Sequence, residues 1–253
     1  MTEKHPTYKY PIIQEALCAL HFNLGDGREW KSSFFGDFYR LIESDYPQIE
    51  PGVNVGMEFH VKESEISQVL SHPRQMMKFT HKSGNKLMQL FPHMLTVNEL
   101  PVYPGWKEMS DDIIYALNNL QKTLQPIGTN KIGLRYINRL TKAHHKEKAG
   151  DWFTASSYVS EALISSLPGF LSRLVFNPSP HMMIIVTMGD KTNGNAEDAS
   201  SIVFDIDCIL EHTMAMNKDA IMKALDELHD KAWDIFSSSM TPRLEKLLKE
   251  GTA

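Results

Sequence analysis

The chain reads as an α+β protein built on a mainly antiparallel sheet with helices packed on one face, and three observations predict this. Strand-sized runs with alternating apolar residues follow one another through turn signals. That order, without strict βα alternation, favours hairpin-connected strands. Separate longer stretches repeat apolar residues at helical spacing. The 253 residues are 42% apolar and 23% charged, an ordinary globular composition with enough chain to bury a full core.

Residues 1–11 are polar and aromatic and predict an arm lying on the surface. Ile12–Phe22 predicts a first strand, closed by the turn Gly25-Asp26-Gly27. In Trp30–Ser44 the spacing of Trp30, Phe34, Phe38, Leu41 and Ile42 predicts a helix that Pro47 ends. Val53–Lys62 alternates as a strand. Met76–His81 and Lys86–Phe91 flank Ser83-Gly84-Asn85, a hairpin signal, and His93–Leu100 is a further strand. Trp106–Leu124 returns to helical spacing, and Ile132–Leu140 follows as a strand. The first half therefore reads β-α-β-β-β-β-α-β.

The charge-rich segment Lys142–Asp151 predicts a connector between two β-rich halves, residues 1–141 and 152–253. Whether the halves are separate domains or one continuous domain stays open. Beyond the connector, Trp152–Leu167 predicts a helix, and Ser172–Phe176, His181–Met188 and Ser201–Glu211 predict strands. Lys191–Ser200 reads as a polar loop. Lys218–Leu248 is the longest helical stretch, interrupted near its end by Thr241-Pro242.

Composition narrows the function classes. A formal net charge of -5 gives no global attraction to nucleic acid or anionic lipid, so nucleic acid and membrane are not expected partners. The two cysteines, Cys18 and Cys208, sit singly in apolar runs and read as buried reduced thiols. The opening MTEKHPTYKYP carries no apolar signal region, so the expected compartment is the cytoplasm.

No motif fixes a reaction, and two charged strands are the chief candidate sites. In Ile132–Leu140, alternation places Arg135, Ile137 and Arg139 on one face and Leu134, Tyr136, Asn138 and Leu140 on the other. Arg135 and Arg139 stand about 13 Å apart along the strand, too far for one claw. Either arginine could bind an anionic group, or both could pair with carboxylates on neighbouring strands. Asp205 and Asp207 project together from Ser201–Glu211, with Phe204, Ile206 and Cys208 on the other face. They could hold Mg²⁺ for phosphoryl transfer, or meet Arg135 and Arg139 across the sheet. Among the eleven histidines, His60, His81 and His93 fall on different β segments, and His144-His145 fall in the connector. Helical spacing gathers Asp226, His229, Asp230 and Trp233, where a structural histidine is the commoner reading. Fourteen methionines predict a malleable apolar interior or cleft.

Four blocks, PIIQEALCALHF (Pro11–Phe22), YPGW (Tyr103–Trp106) with IGLRYINRL, VFDIDC (Val203–Cys208) and LHDKAWDIFSSSMTPRL (Leu228–Leu244), together resemble a sporadically distributed family of uncharacterised bacterial proteins of similar length. The resemblance spans nearly the whole chain, and Gly-Leu-Arg-Tyr-Ile-Asn is its most specific piece. It implies no mechanism; the family's patchy distribution associates it with mobile defence or toxin–antitoxin loci.

The sequence reading is therefore a cytosolic, non-catalytic binding or sensing protein without a cofactor or bound metal. It would take a protein partner or small anionic ligand near Arg135, Asn138, Arg139 and Trp106. The rival reading is a Mg²⁺-dependent phosphoryl-transfer enzyme or nuclease centred on Asp205 and Asp207. A homodimer through the helix 218–248 is a third.

Overall fold

In the computed structural model, which describes residues 4–54, 57–62, 65–70, 74–143, 147–166, 169–191 and 200–252, one ten-stranded sheet organises the chain. Its strands are β1 (Ile13–Asn23), β2 (Gln48–Asn54), β5 (Arg74–Thr80), β6 (Lys86–Phe91), β7 (Met94–Glu99), β8 (Gly128–Thr141), β9 (Leu171–Ser179), β10 (Met182–Lys191), β11 (Ser201–Leu210) and the short β12 (Met214–Ala215). The order is β2-β5-β6-β7-β1-β8-β11-β10-β9, with β12 beside β8. Every pair in it is antiparallel. The two-stranded pair β3 (Met57–Lys62) and β4 (Glu65–Leu70) stands apart. The helices are α1 (Ser33–Ile42), α2 (Trp106–Leu124), α3 (Glu161–Ser166), α4 (Lys218–Ser238) and α5 (Pro242–Glu250). The fold is α+β, as predicted, and the two halves join edge to edge where β8 pairs with β11. Among the described residues, no helix is long and apolar enough to cross a membrane.

One face of the sheet forms the core. Ala16, Cys18, Leu20 and Phe22 of β1 continue across Leu134 and Tyr136 of β8 to Phe204, Ile206 and Cys208 of β11, all buried. Their period of two follows from strand geometry. Against this face, α4 lays Ile221, Leu225, Leu228, Ala232 and Ile235, and α2 lays Met109, Ile113, Ala116, Leu120 and Leu124. Burial pushes the thiols of Cys18 and Cys208 up to about 12, so both stay protonated and unreactive at neutral pH.

The opposite face is polar and bonded across strands. Arg135 Nε and Nη2 donate to the two oxygens of Asp205 at 2.8 and 2.7 Å. Asn98 donates to Glu15 and accepts from Thr96. The fork between Arg135 and Asp205 is the cross-sheet pairing that alternation allows, since Asp205 lies diagonal to Arg135 in the β8–β11 register. Arg139 is exposed on this same face.

Two stretches depart from the sequence reading. The strand predicted over 53–62 is two strands, β2 and β3, with β4 following; residues 55–56 lie outside the described residues. β2 accepts Pro51 because it is an edge strand, where a missing N–H costs no ladder bond. The helix predicted over 152–167 is only α3, preceded by a single 3-10 turn at Ala149–Asp151. Between them Phe153 bridges Met240, and Thr154 N–H donates to Ser239 carbonyl. This backbone pairing, with Ser156 turning the chain back through its hydroxyl, displaces helix formation. The final helical stretch divides at Thr241-Pro242, as its sequence predicts: Thr241 Oγ1 caps Leu244 N–H while Pro242 opens α5.

Candidate functional site

A cavity of about 90 Å³, partly open to solvent, lies between the core face of the sheet, α4, the start of α2 and the N-terminal segment. The sheet contributes Tyr136 and Asn138 of β8 and Ile206 of β11. These residues face the cavity because they occupy the alternate positions that carry the core. α4 contributes His229, Ala232, Trp233 and Phe236, a stripe at helical spacing. Gly105 adopts φ +108°, a left-handed conformation that favours glycine, and this turn sets Trp106 as the first residue of α2 on the cavity rim.

The arm predicted for residues 1–11 is a wall of the cavity. His5, Tyr8, Pro11 and Ile12 line it. Lys4 Nζ and His5 Nε2 both reach Asp230 of α4 at 2.6 Å. Further along, Tyr10 N–H donates to Leu248 carbonyl, and Ile12 carbonyl accepts from Arg139 N–H. The arm is thus tied to α4, α5 and β8 in turn.

Aromatic rings make a nearly continuous wall. Trp106 stacks on His229 at 4.5 Å, His229 meets His5 edge-on at 5.4 Å, and His5 stacks on Trp233 at 5.2 Å. Tyr8 lies 6.1 Å from Trp233, and Tyr103 stands edge-on to Tyr136 at 5.9 Å. The polar ends of Trp106, Tyr136 and His229 are already engaged. Trp106 Nε1 donates to Asp226 at 2.8 Å, and Tyr136 Oη is 2.9 Å from His229 Nδ1. Asn138 Nδ2 donates to Phe204 carbonyl.

Burial, with a smaller contribution from the charge of His5, holds His229 down to about 4, so its imidazole is neutral at physiological pH. Burial chiefly keeps Tyr136 protonated, well above the ordinary phenol range. A depressed histidine contributes stability that is complete above its unfolded value of 6.5 and fades as pH falls towards 4. The folded state resists the proton that the unfolded chain accepts. His229→Phe is therefore expected to flatten the acid limb of the stability curve between pH 6.5 and 4, where His229 accounts for up to about 3 kcal/mol. Urea midpoints measured across that range give the comparison; an unchanged slope refutes the assignment.

The structure brings together two of the four binding candidates read from the sequence. Asn138 and Trp106 line the cavity. Arg135 and Arg139 point from the other side of β8, Arg135 into its fork with Asp205. The expected cleft of aromatics, methionines and one or two arginines is aromatic and carries neither Met nor Arg in its described lining. Asp207 is pushed up to about 6 by burial, with Arg135 opposing and the Asp205 charge adding to the rise. No group of three or more His, Cys, Asp or Glu is placed to hold a metal ion among the described residues. His81 bonds Ser83 and His93 packs on Phe22 and Trp30. The His60 side chain and His144-His145 lie outside what the structure describes.

Sequence reasoning missed His5, Tyr8, Tyr103, Tyr136, Trp233 and Phe236 as site residues. Two signals could have found them: the shared strand face of Tyr136 and Asn138, and the helical cluster Asp226, His229, Asp230 and Trp233. Comparison of the chain with models of known protein families and with curated proteins gave no match in either case.

Proposed function

We propose that this chain is a binding or sensing protein that holds a small organic ligand in the aromatic cavity between its N-terminal segment, α4 and the sheet. The observation that carries this reading is the cavity itself. It is concave, predominantly apolar, and lined from six separate parts of the chain, with a few fixed polar groups at its edge. Those are the attributes of ligand pockets generally. Several side chains around it have their polar ends fixed, Tyr136 to His229 and Trp106 to Asp226, which preorganises those walls. A neutral His229 and a protonated Tyr136 leave the lining uncharged on that side.

The sequence reading of an anionic ligand gives way here to an uncharged or cationic one. No lysine or arginine lines the cavity among the described residues, so an anion would find no counter-charge.

Ala232 tests the reading. It is buried, lines the cavity and sits on the α4 face turned to the sheet. Ala232→Leu adds three carbons, which fill most of the free space. Native mass spectrometry of the freshly purified wild-type chain is expected to show a bound small molecule that the variant lacks. Circular dichroism should show the same fold in both. Identical spectra from both proteins, with no small-molecule adduct on either, would overturn the reading.

A further inference from the structure

The chemistry of the walls is more selective than a general apolar pocket, and it bears on which ligand the cavity takes. Rings dominate its lining, two of them indoles, and the faces of such rings carry negative potential. Trp106 adds to this because its N–H donates to the carboxylate of Asp226, an ionised acceptor that feeds electron density back into the indole. A second carboxylate, Asp230, stands behind His5 and anchors it. With His229 neutral, the only lining side chain among the described residues that can carry positive charge beside these is His5. Its Nε2 is held 2.6 Å from Asp230, which answers that charge locally and leaves the Asp226 carboxylate uncompensated inside the cavity. Lys4, the partner of Asp230, is exposed on the outside of the arm.

Size narrows the choice further. The free space of about 90 Å³ is smaller than the roughly 150 Å³ cavity that accepts benzene in a protein core. It suits a compact, nearly spherical group better than a ring system.

Resting on the reading of this cavity as a ligand site, we infer that its ligand is an organic cation whose compact alkylammonium head, of trimethylammonium size, sits among Trp106, Trp233, Tyr103 and Tyr8, with Asp226 supplying the compensating negative charge. The head loses water on entry, and the ring faces replace that hydration with an attraction that a neutral group of equal shape does not feel. A longer tail would leave through the open side of the cavity.

Choline and 3,3-dimethylbutan-1-ol have the same shape and differ in the charge of one atom, so titrating the full chain with each by calorimetry separates shape from charge. Choline is expected to bind at least tenfold more tightly than the alcohol. Asp226→Asn, which keeps an acceptor for the indole N–H and removes the charge, is expected to weaken choline three- to tenfold and to leave the alcohol unchanged. Trp106→Phe, with a weaker ring potential, should also reduce choline affinity more than alcohol affinity. Equal affinities for choline and the alcohol would overturn the cationic assignment while leaving the cavity as a ligand site. Failure of both probes to bind at 10 mM (on the order of the weakest specific affinities), with no co-purifying small molecule, would overturn the ligand site and the cation together.

Discussion

Lys142→Ala is expected to cost about 3–5 kcal/mol of folding stability, the largest effect of any single change to a charged group among the described residues. Lys142 follows the end of β8, reaches across the start of β11 and meets Asp190 of β10 at 2.5 Å. Both side chains are 1% exposed. Removing the ammonium leaves the Asp190 carboxylate buried without a counter-charge, and the cost is the desolvation that the pair no longer offsets. Replacing both partners with apolar residues of similar volume, Lys142→Met with Asp190→Leu, should recover most of that loss, since an apolar pair strands no charge. The surface pair of Lys82 and Asp45 gives the contrast, with side chains 61% and 38% exposed. Lys82→Ala should change stability by less than about 1 kcal/mol. Urea melts of the four proteins supply the numbers. If Lys142→Ala moves the midpoint no more than Lys82→Ala, the pair does not hold the three strand ends together.

That lysine also shows where sequence reasoning reached its limit. Local pattern made most of the elements legible: Lys86–Phe91 and Trp106–Leu124 occur with the boundaries their periodicity predicts, and β8 and β11 bury the faces assigned to them. Alternation also allowed the pairing of Arg135 with Asp205, because two charged faces on strands of opposite halves needed partners. Lys142, in contrast, opens a run of lysines and histidines and reads as solvated. Its burial depends on Asp190, 48 positions away, and no local pattern encodes that meeting. The site failed for the same reason. Its walls come from residue 5, residues near 103 to 106, two strands and a helix past 226, and the chain order of those segments says nothing about their convergence. Trp106 and Asn138 were reachable as an unusual aromatic beside a turn and a polar residue on an apolar face. His5 and Tyr8 were not, because an arm without periodicity carries no signal of what it covers.

Glu99→Gln is expected to stabilise the chain above neutral pH and to flatten its stability between pH 6.5 and 8. Glu99 is fully buried on the core face of β7, opposite Ala16 of β1, and neither carboxyl oxygen has a hydrogen-bond partner among the described residues. Lys86 Nζ is 3.8 Å away and lies nearer to Asp112, at 2.5 Å. Burial first, and then the neighbouring Asp112, push Glu99 up to about 8 against the opposing charge of Lys86. For an acid raised in this way, the unfolded chain releases its proton near 4.5 while the folded chain holds it to about 8. Stability therefore falls as pH rises through that interval and levels off above it. His229 works with the opposite sign but only between about 4 and 6.5, and the rise of Asp207 is complete by about 6. From pH 6.5 to 8 Glu99 is the buried group in transition, and it should account for about 2 kcal/mol of lost stability. Glutamine keeps the shape and cannot ionise, so the variant should lose that slope, and between pH 4.5 and 6.5 its profile should rise more steeply than the wild type, with the contribution of His229 no longer opposed by Glu99. Lys86→Met separates charge from burial: without the ammonium, Glu99 holds its proton to higher pH, and the decline should extend upward beyond pH 8. A Glu99→Gln profile parallel to the wild type from pH 6.5 to 8 would show that the proton is held elsewhere.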